Sequence, residues 1–298
     1  MTVRVEEGDN LALCARFLEE GVRCQLVYVD PPFGVGVVHG ARTRRGEARA
    51  DLSTAAYDDA FTGIDAFLTA LRPRVALFRD LLDPRGTLYL HLDHRAVHDA
   101  KVLCDGVFGR GAFRGEIVWV PGNGARSRLT WGATHQTILV YTRDARPAAS
   151  AEFVFHGDTL REPFAEGSAA THFRHVDEDG RRFRVRTVRG KDYRYYLDEG
   201  RRLGTVWTDV PAMAANTPLT RETTGYPHQK PEKLLERIVR ASSDEGAWVG
   251  DFFCGSGTTL AVAARLRRHA IGCDQSPLAI ETTRRRLAEA TADEGPPG

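Results

Sequence analysis

The stretch from Cys24 to Val29 is almost wholly apolar and ends at Asp30-Pro31-Pro32-Phe33. A short run of this kind predicts a strand buried on both faces, because helices cover both sides of the parallel strands in α/β proteins. Two consecutive prolines cannot continue the hydrogen-bonded ladder of a sheet. The strand is therefore expected to stop at Val29, which places the carboxylate of Asp30 at its carboxyl end.

Strand and helix patterns alternate along most of the chain. Strands are predicted at 3–5, 24–29, 87–92, 116–120, 137–141, 247–253 and 270–273. Helices are predicted at 11–18, 61–82, 95–108, 231–239, 257–266 and 277–290, and the glycine-rich segment 34–60 is predicted to be a loop. This alternation predicts an α/β fold, a doubly wound and mostly parallel sheet with helices on both faces.

The composition is that of a folded chain. Of its 298 residues, 42% are hydrophobic and 27% charged, close to the globular average, so wholesale disorder is excluded. The apolar runs are far shorter than the roughly 20 residues of a membrane helix, and residues 1–9 lack the apolar core of a signal peptide. We therefore expect a cytoplasmic protein without a membrane span. The five cysteines form no C-x-x-C pair, which predicts buried, reduced thiols.

A basic and aromatic block occupies residues 181–202. It holds nine basic side chains against three acidic ones, whereas the whole chain carries a net charge of only +1. Its aromatic residues are Phe183, Tyr193, Tyr195 and Tyr196. Arginine can bind phosphate or guanine through two parallel hydrogen bonds and can stack on rings, so the block favours a nucleic acid partner. The alternative is a solvated β-hairpin whose charges are balanced elsewhere.

A second predicted strand end carries a glycine turn. Residues 251–259, with the sequence DFFCGSGTT, predict a strand that turns through glycines into a helix, an arrangement that suits a nucleotide-like ligand. Asp274 ends the next predicted strand, where a carboxylate can accept hydrogen bonds from both hydroxyls of a ribose. The chain has no P-loop motif, and Leu260 stands where a dinucleotide fingerprint has its third glycine. We expect a nucleoside-bearing cofactor, with NAD as the alternative.

The Asp-Pro-Pro-Phe turn also indicates a chemistry. Asp30 offers a carboxylate, Pro31 a free carbonyl and Phe33 an aromatic ring, which together make a planar polar slot for the exocyclic amine of a nucleobase. Such an amine is a poor nucleophile because its lone pair is delocalised into the ring. Two acceptors on its hydrogens favour the pyramidal, reactive form. The alternative is a turn that only ends a strand.

Three motifs together indicate a family. Asp30-Pro31-Pro32-Phe33, Gln229-Lys230-Pro231 and the glycine motif of residues 253–258 resemble those of the DNA amino-methyltransferases that use S-adenosylmethionine. The acceptor motif precedes the glycine motif, which is the β-class order of that family. Further resemblances lie at 8–10, 86–93, 116–119, 206–211 and 225–227. The resemblance implies a Rossmann-like methyltransferase fold with catalytic halves at 1–142 and 206–298 and an inserted target-recognition region at 143–205.

The resemblance also implies roles for single residues. The flipped target base would be held by the catalytic residues Asp30, Pro31, Pro32 and Phe33. S-adenosylmethionine would be bound by Asp9, Gln229, Lys230, Asp251, Phe253, Gly255, Ser256, Gly257, Thr258 and Asp274. No metal site is expected, since methyl transfer from a sulfonium needs no Lewis acid.

The implied activity is site-specific methylation of adenine N6 in double-stranded DNA, because Asp at the head of the acceptor motif resembles the adenine enzymes more often than the cytosine ones. Two alternatives stay open, a cytosine-N4 DNA methyltransferase and a sequence-specific DNA-binding relative without catalysis. The arginines of 42–49 and of the insertion are expected to clamp the DNA phosphates, which offsets the cost of base flipping. A homodimer is a family-level expectation, and no residue indicates a cognate restriction endonuclease, the other partner to consider.

Overall fold

Strands and helices follow one another along the chain nearly as the apolar periodicity predicts. The computed structural model describes residues 1–32, 38–40, 55–58, 63–122, 124, 127–145, 153–213 and 222–292. The strands are β1 (Val3–Glu7), β2 (Cys24–Val29), β3 (Val38–Gly40), β4 (Ala55–Asp58), β5 (Leu82–Leu92), β6 (Phe113–Trp119), β7 (Gln136–Thr142), β8 (Arg161–Glu162), β9 (His175–Val176), β10 (Arg182–Val188), β11 (Lys191–Tyr196), β12 (Arg201–Arg202), β13 (Val206–Trp207), β14 (Trp248–Asp251) and β15 (His269–Asp274). The helices are α1 (Asn10–Glu19), α2 (Ile64–Leu81), α3 (Val97–Phe108), α4 (Glu166–His172), α5 (Glu232–Ser242), α6 (Thr258–Arg265) and α7 (Pro277–Ala292).

Eight strands form the main sheet, in the order β1-β15-β14-β2-β5-β7-β6-β13. All neighbours in it are parallel except β7, which runs antiparallel to both β5 and β6. The mostly parallel sheet confirms the predicted fold class, but the reversal at β7 was not foreseen. A parallel return needs a long crossover, usually a helix. The described part of the connection from Trp119 to Gln136 contains no helix, and the chain turns back antiparallel.

Helices cover both faces of this sheet, as alternate residues of β5 demonstrate. Leu88, Leu90 and Leu92 belong to the apolar core that also contains the buried faces of α1, α2 and α3. Tyr89 points the other way, and its hydroxyl lies 2.8 Å from Oγ of Ser242 in α5. Side chains of consecutive strand residues project to opposite faces, so α1 to α3 lie on one side and α5 on the other. The sheet is therefore doubly wound.

The largest differences from the predicted elements are at the start of β5 and within 34–60. β5 begins at Leu82 rather than Thr87, since Leu82 already pairs with Cys24 across a register shift. Gly86 permits this close approach, because a Cβ there would lie 2.7 Å from the carbonyl oxygen of Cys24. Within 34–60, predicted as a loop, the described residues form the antiparallel pair β3 and β4.

The chain divides into two compact units, Met1–Phe155 with Thr205–Gly298, and His156–Gly204. The smaller unit contains β8 to β12 and α4. Phe173 and Phe183 are buried in it, and the rings of Phe164 and Phe173 lie 4.6 Å apart. The basic and aromatic block falls in this unit and forms the hairpin β10–β11. The unit lies within the segment 143–205 that the family resemblance assigns to target recognition, an assignment that stays a prediction.

Two general expectations can be compared with the structure. All five cysteines are buried and free, as predicted. Among the described residues, no helix is both long and apolar enough to cross a membrane.

Candidate active site

A cavity of about 440 Å³ opens at the carboxyl ends of β2, β14 and β15. From β2 the chain continues to β5 on one side of the sheet, whereas from β14 it continues to β15 on the other side. Ligands of open α/β sheets bind in the crevice at such a switch point, because the two connections leave in opposite directions. The topology therefore places the cavity where this fold offers a binding site.

The cavity brings together most of the residues that were singled out from the sequence. Its lining includes Asp30, Pro31, Pro32, Gln229, Lys230, Asp251, Phe253, Gly255, Ser256, Thr258 and Asp274. Gly257 and Asp9 are not among the lining residues, although both are neighbours of residues that are. Phe33 lies outside the described residues. The acceptor motif and the glycine motif thus share one cavity, while the predicted roles of the individual residues stay predictions.

An ion pair joins two distant segments of the chain inside this cavity. The ammonium Nζ of Lys230 donates to Oδ2 of Asp30, 200 residues earlier. The two side chains are 10% and 19% exposed, so the pair is largely withdrawn from water. The main-chain oxygen of Lys230 also accepts a hydrogen bond from Oγ1 of Thr258 at the start of α6. The segment before α5 is therefore tied both to the acceptor motif and to the glycine motif.

Tyr28 and His91 form a buried pair next to Asp30. The hydroxyl of Tyr28, which lines the cavity, is hydrogen bonded to Nδ1 of His91 over 2.7 Å. Burial, with the nearby cation of Lys230, lowers the pKa of His91 to about 3, so the imidazole is neutral. Burial also raises the pKa of Tyr28, and the negative charge of Asp30 adds to this effect. Among the described residues, no group of three or more His, Cys, Asp or Glu side chains is placed to hold a metal ion.

The glycine turn after β14 has the backbone that its sequence predicts. Gly255 and Gly257 have φ values of +47° and +73°, in the left-handed region that favours glycine. The N–H of Gly257 donates to the carbonyl of Cys254 over 2.7 Å, and α6 begins at the next residue. A Cβ on Gly257 would lie 2.6 Å from Oγ1 of Thr283 in α7. The role of Gly257 in the structure is thus the packing of the turn against α7, rather than a direct place in the cavity wall.

Asp274 is held by two backbone amides at the end of β15. Oδ2 accepts from the N–H of Gly255 and Oδ1 from that of Ser276, each over 2.9 Å. Burial raises the pKa of Asp274. A carboxylate oxygen can accept more than one hydrogen bond. Both oxygens, already oriented, can therefore accept from two adjacent hydroxyl groups of a ligand.

Asp251 lines the cavity together with two other acidic residues, Asp30 and Asp274. Its side chain is nearly buried and accepts from the N–H of Phe253 over 3.2 Å. Burial, with the charges of Asp30 and Asp274, raises its pKa to about 7. Asp251 thus holds the turn at the end of β14 through this hydrogen bond, and it interacts electrostatically with Asp30 and Asp274.

Asp9 does not line the cavity but contacts a residue that does, Arg74. Asp9 is the N-cap of α1, with Oδ1 accepting from the N–H of Leu11, and it also accepts from Arg74 over 3.0 Å. Nε of Arg74 donates to Oδ1 of Asn10 over 2.6 Å, and Nδ2 of Asn10 donates to the carbonyl of Phe252. Asn10 and Arg74 both line the cavity.

Sequence reasoning missed Arg74 as a site residue, because it lies in an ordinary amphipathic helix, α2, without a motif. Its only signal is a charged residue between Leu71 and Val75, both of which are buried. Gln229 was singled out, but its side chain binds other parts of the protein. Its Oε1 accepts from Thr224, and its Nε2 donates to the carbonyl of Glu222. Gln229 therefore holds the segment that contains Tyr226, a ring that lies against the glycine turn.

The chain was compared with known proteins. The family model for DNA methylases (N6_N4_Mtase) matches residues 24–285. The chain is 28% identical to type II methyltransferase M.EcaI of Enterobacter cloacae, over 97% of this chain and 70% of that protein. It is 26% identical to the DNA adenine methyltransferase YhdJ of Escherichia coli K12, over 95% and 82% respectively.

Solved structures share the fold. The M1.HpyAVI complex with SAM matches with a TM-score of 0.57 at 16% identity, covering 96% of this chain and 99% of that one. The cytosine-N4-specific PvuII DNA methyltransferase matches with a TM-score of 0.55 at 14% identity, covering 98% and 91%. At these identities the likeness concerns the fold alone.

Proposed function

The chain belongs to the DNA methylase family, and on that premise we propose that it transfers a methyl group from S-adenosylmethionine to N6 of an adenine flipped out of double-stranded DNA. The observation that carries the proposal is a single cavity whose lining includes Asp30 and Pro31 of the acceptor motif together with Gly255 and Asp274. Methyl transfer requires the amine and the sulfonium to meet in one site. Holding two reactants in such a geometry can supply roughly 7–11 kcal/mol of the barrier.

The residues around the cavity fit S-adenosylmethionine. The cavity volume of about 440 Å³ lies within the range of roughly 300–1,000 Å³ that is typical of small-molecule sites. The oriented carboxylate of Asp274 suits the two hydroxyls of a ribose, and the SAM complex of M1.HpyAVI, a protein of the same fold, supports the choice of cofactor. When bound, S-adenosylmethionine supplies the electrophilic methyl group.

Asp30 is proposed to act on the target amine. Lys230 binds Oδ2, which leaves Oδ1 to accept a hydrogen bond from the amine. As the nitrogen forms its bond to the methyl carbon it becomes cationic, and a fixed carboxylate stabilises that charge. The bond between the methyl carbon and sulfur breaks as the nitrogen–carbon bond forms, and the methylated amine then releases a proton to Asp30 or to water. No covalent bond to the protein is needed.

Adenine is the proposed target because Asp heads the acceptor motif. The match to a protein named DNA adenine methyltransferase supports this choice. Cytosine N4 is the second candidate, since PvuII methyltransferase, of the same fold, is named cytosine-N4-specific. Mass spectrometry of nucleosides from DNA methylated by the purified protein separates the two, as only one of N6-methyladenine and N4-methylcytosine should appear.

DNA binding is proposed to involve the smaller unit, His156–Gly204. Its hairpin carries exposed arginines and the partly exposed rings of Tyr193 and Tyr195, a combination that suits phosphates and bases. The arginines of 42–49, the second expected clamp, lie outside the described residues. Association with a second copy of the chain is a family-level expectation, and a cognate restriction endonuclease is the other partner to consider.

Asp30→Ala tests the proposal directly. We expect methyl transfer from labelled S-adenosylmethionine to DNA to fall by at least about 100-fold, because a charge-stabilising group of the transition state is lost. The affinity for S-adenosylmethionine, measured by calorimetry, should change little. Asp274→Ala is the matched variant on the other side of the cavity and should instead weaken cofactor binding. Wild-type methylation rates with Asp30→Ala would contradict the assigned role.

A further inference from the structure

Leu129 and Trp131 project almost completely into solvent. Their exposed fractions are 99% and 97%, whereas Trp119 and Trp207 are 3% and 5% exposed. Burial of a large aromatic side chain is strongly favourable. Exposed apolar patches rimmed by polar residues mark interaction surfaces, and this pair is bordered by Arg128 and Thr130, both exposed. None of the contacts described above for the cavity involves either residue.

The loop that carries them starts and ends at the edge of the sheet that holds the cavity. It leaves β6 at Trp119 and enters β7 at Gln136, two residues that are paired with each other. Because β7 is antiparallel to β5 and β6, and β5 is parallel to β2, the end of β6 lies at the same edge as the end of β2. The acceptor motif begins directly after β2. The exposed pair and Asp30 therefore rise from the same edge.

The base of this loop is firmly attached. Nε1 of Trp119 donates to the carbonyl of Val210, and the N–H of Val120 donates to that of Trp207. Trp119 also packs edge-on against His91, at a ring distance of 5.6 Å, and His91 binds Tyr28 in the cavity wall. Packing thus connects the base of the loop with the acceptor side of the cavity.

The tip of the loop has a defined shape of its own. Oγ of Ser127 accepts hydrogen bonds from the N–H groups of Leu129 and Thr130, which forms a tight turn directly before Trp131. Because this turn is already closed by its own side chain, the loop loses less conformational entropy when it binds a partner.

Charge around the tip favours a polyanion over another protein surface. From Val120 to Thr142 the sequence contains Arg126 and Arg128 and no Asp or Glu. Arg128 is described and exposed next to Leu129. Basic side chains beside apolar ones are the combination that inserts into a nucleic acid duplex, since the cations contact phosphates while the apolar group enters the base stack.

We propose that Trp131, backed by Leu129, is the wedge that fills the gap left in the DNA duplex when the target base swings out into the cavity. The inference rests on the proposed function, because it assigns a residue to the flipping step of that reaction. A flipped base leaves its neighbours unstacked, and an indole ring can stack on the exposed face of one of them. Trp131 is a positioning residue, since it contacts neighbours of the target base and not the reacting atoms.

The test uses the duplex site that the wild-type protein methylates, with 2-aminopurine in place of the target adenine. The fluorescence of 2-aminopurine rises when the base leaves the stack. We expect Trp131→Ala to weaken binding in the flipped state at least about tenfold, with loss of the fluorescence rise. Trp131→Phe should keep most of the rise because it retains a ring. Binding of S-adenosylmethionine should stay unchanged in both variants.

Two controls separate the wedge from general effects. Val102→Ala removes an apolar side chain from α3 that is 72% exposed and should leave the flipping signal unchanged. A mismatch opposite the target base lowers the cost of flipping and should restore much of the signal to Trp131→Ala.

Three outcomes would overturn the inference. If the Trp131→Ala variant flips the base as wild type does, and wild type methylates DNA, then the assignment of Trp131 as the wedge is wrong and the proposed function stands. If wild type methylates no DNA, the proposed function fails and the wedge with it. If Trp131→Ala turns a dimer into monomers in sedimentation experiments and leaves flipping intact, the exposed pair joins two copies of the chain instead.

Discussion

At the scale of single residues, burial disfavours the ionisation of the Asp251 carboxyl group in the cavity. It is buried at the end of β14, and the carboxylates of Asp30 and Asp274 are close enough to disfavour a third negative charge. Burial and these charges raise its pKa to about 7 from 3.8. Between these two values the folded protein holds a proton that the unfolded chain has released.

This difference predicts a pH dependence of stability. As the pH rises from 3.8 towards about 7, the free energy of unfolding should lose up to about 1.4 kcal/mol per pH unit through Asp251 alone. Asp251→Asn removes that loss, because the amide does not ionise. Relative to wild type, the variant should therefore gain stability progressively across this window and show no further change above it. Urea unfolding at several pH values measures the difference.

Asp65→Asn, an exposed position in α2, provides the matched control and should run parallel to wild type. A constant difference between Asp251→Asn and wild type from pH 4 to 7.5 would contradict the assigned titration.

At the scale of elements, the turn from β14 into α6 depends on space as well as on backbone angles. Gly257 combines a φ of +73° with a neighbour, Thr283, that a Cβ would meet at 2.6 Å. Gly246, before β14, has a φ of +77° and no atom within 4 Å of such a Cβ. The two glycines therefore share the angular restriction and differ in crowding.

The unfolding free energies of the Gly257→Ala and Gly246→Ala variants measure the cost of this crowding. Each should lose about 1–2 kcal/mol of unfolding free energy, because a left-handed backbone disfavours a side chain. Gly257→Ala should lose at least about 1 kcal/mol more, since α7 must move away from the turn. Chemical denaturation gives both values. Equal losses would indicate that α7 adjusts freely and that the crowding has no cost.

The hairpin β10–β11 presents two chemically different faces. One face carries the pairs Arg184–Tyr195, Arg186–Tyr193 and Val188–Lys191, and the other carries Phe183–Tyr196, Val185–Arg194 and Thr187–Asp192. The first face holds three basic side chains and no acid. The second buries Phe183, stacks Arg194 over it at 5.0 Å and includes the carboxylate of Asp192. The first face is therefore the one suited to DNA.

Arg186→Ala and Arg194→Ala remove the same charge from opposite faces. We expect Arg186→Ala to weaken duplex binding and to lower the slope of log affinity against log salt by roughly 0.9, the value for one phosphate contact. Arg194→Ala should have a clearly smaller effect. Anisotropy titrations at several salt concentrations measure both slopes. Identical slopes would mean that the hairpin acts only through its total charge.

At the scale of the whole molecule, the order of strands and helices could be predicted, since apolar periodicity is a local property of the chain. The two motif ends, Asp30 and Gly255, could also be predicted to lie near each other, because both follow strands of one parallel sheet. Many of the residues that were correctly predicted to share the cavity lie in or beside short proline or glycine motifs at strand ends, which are short-range signals.

The remainder depends on contacts between distant segments. Nothing near Lys230 indicates that its ammonium pairs with Asp30, and nothing near Arg74 indicates that it binds Asp9 and Asn10. The reversed direction of β7 likewise follows from the connection and its pairing partners. Periodicity reports burial but not direction, so these features needed the three-dimensional structure.

The central position of β14, between β2 and β15, has a consequence for biosynthesis. A ribosome releases β2 and β5 long before it has translated Trp248, so the growing polypeptide carries the acceptor motif beside an open strand edge. Such edges recruit other chains. A message truncated upstream of β14 would thus yield an aggregation-prone fragment instead of a weak enzyme. Chaperones that cover the exposed strand edge until residues 248–298 are made would therefore favour folding of this protein.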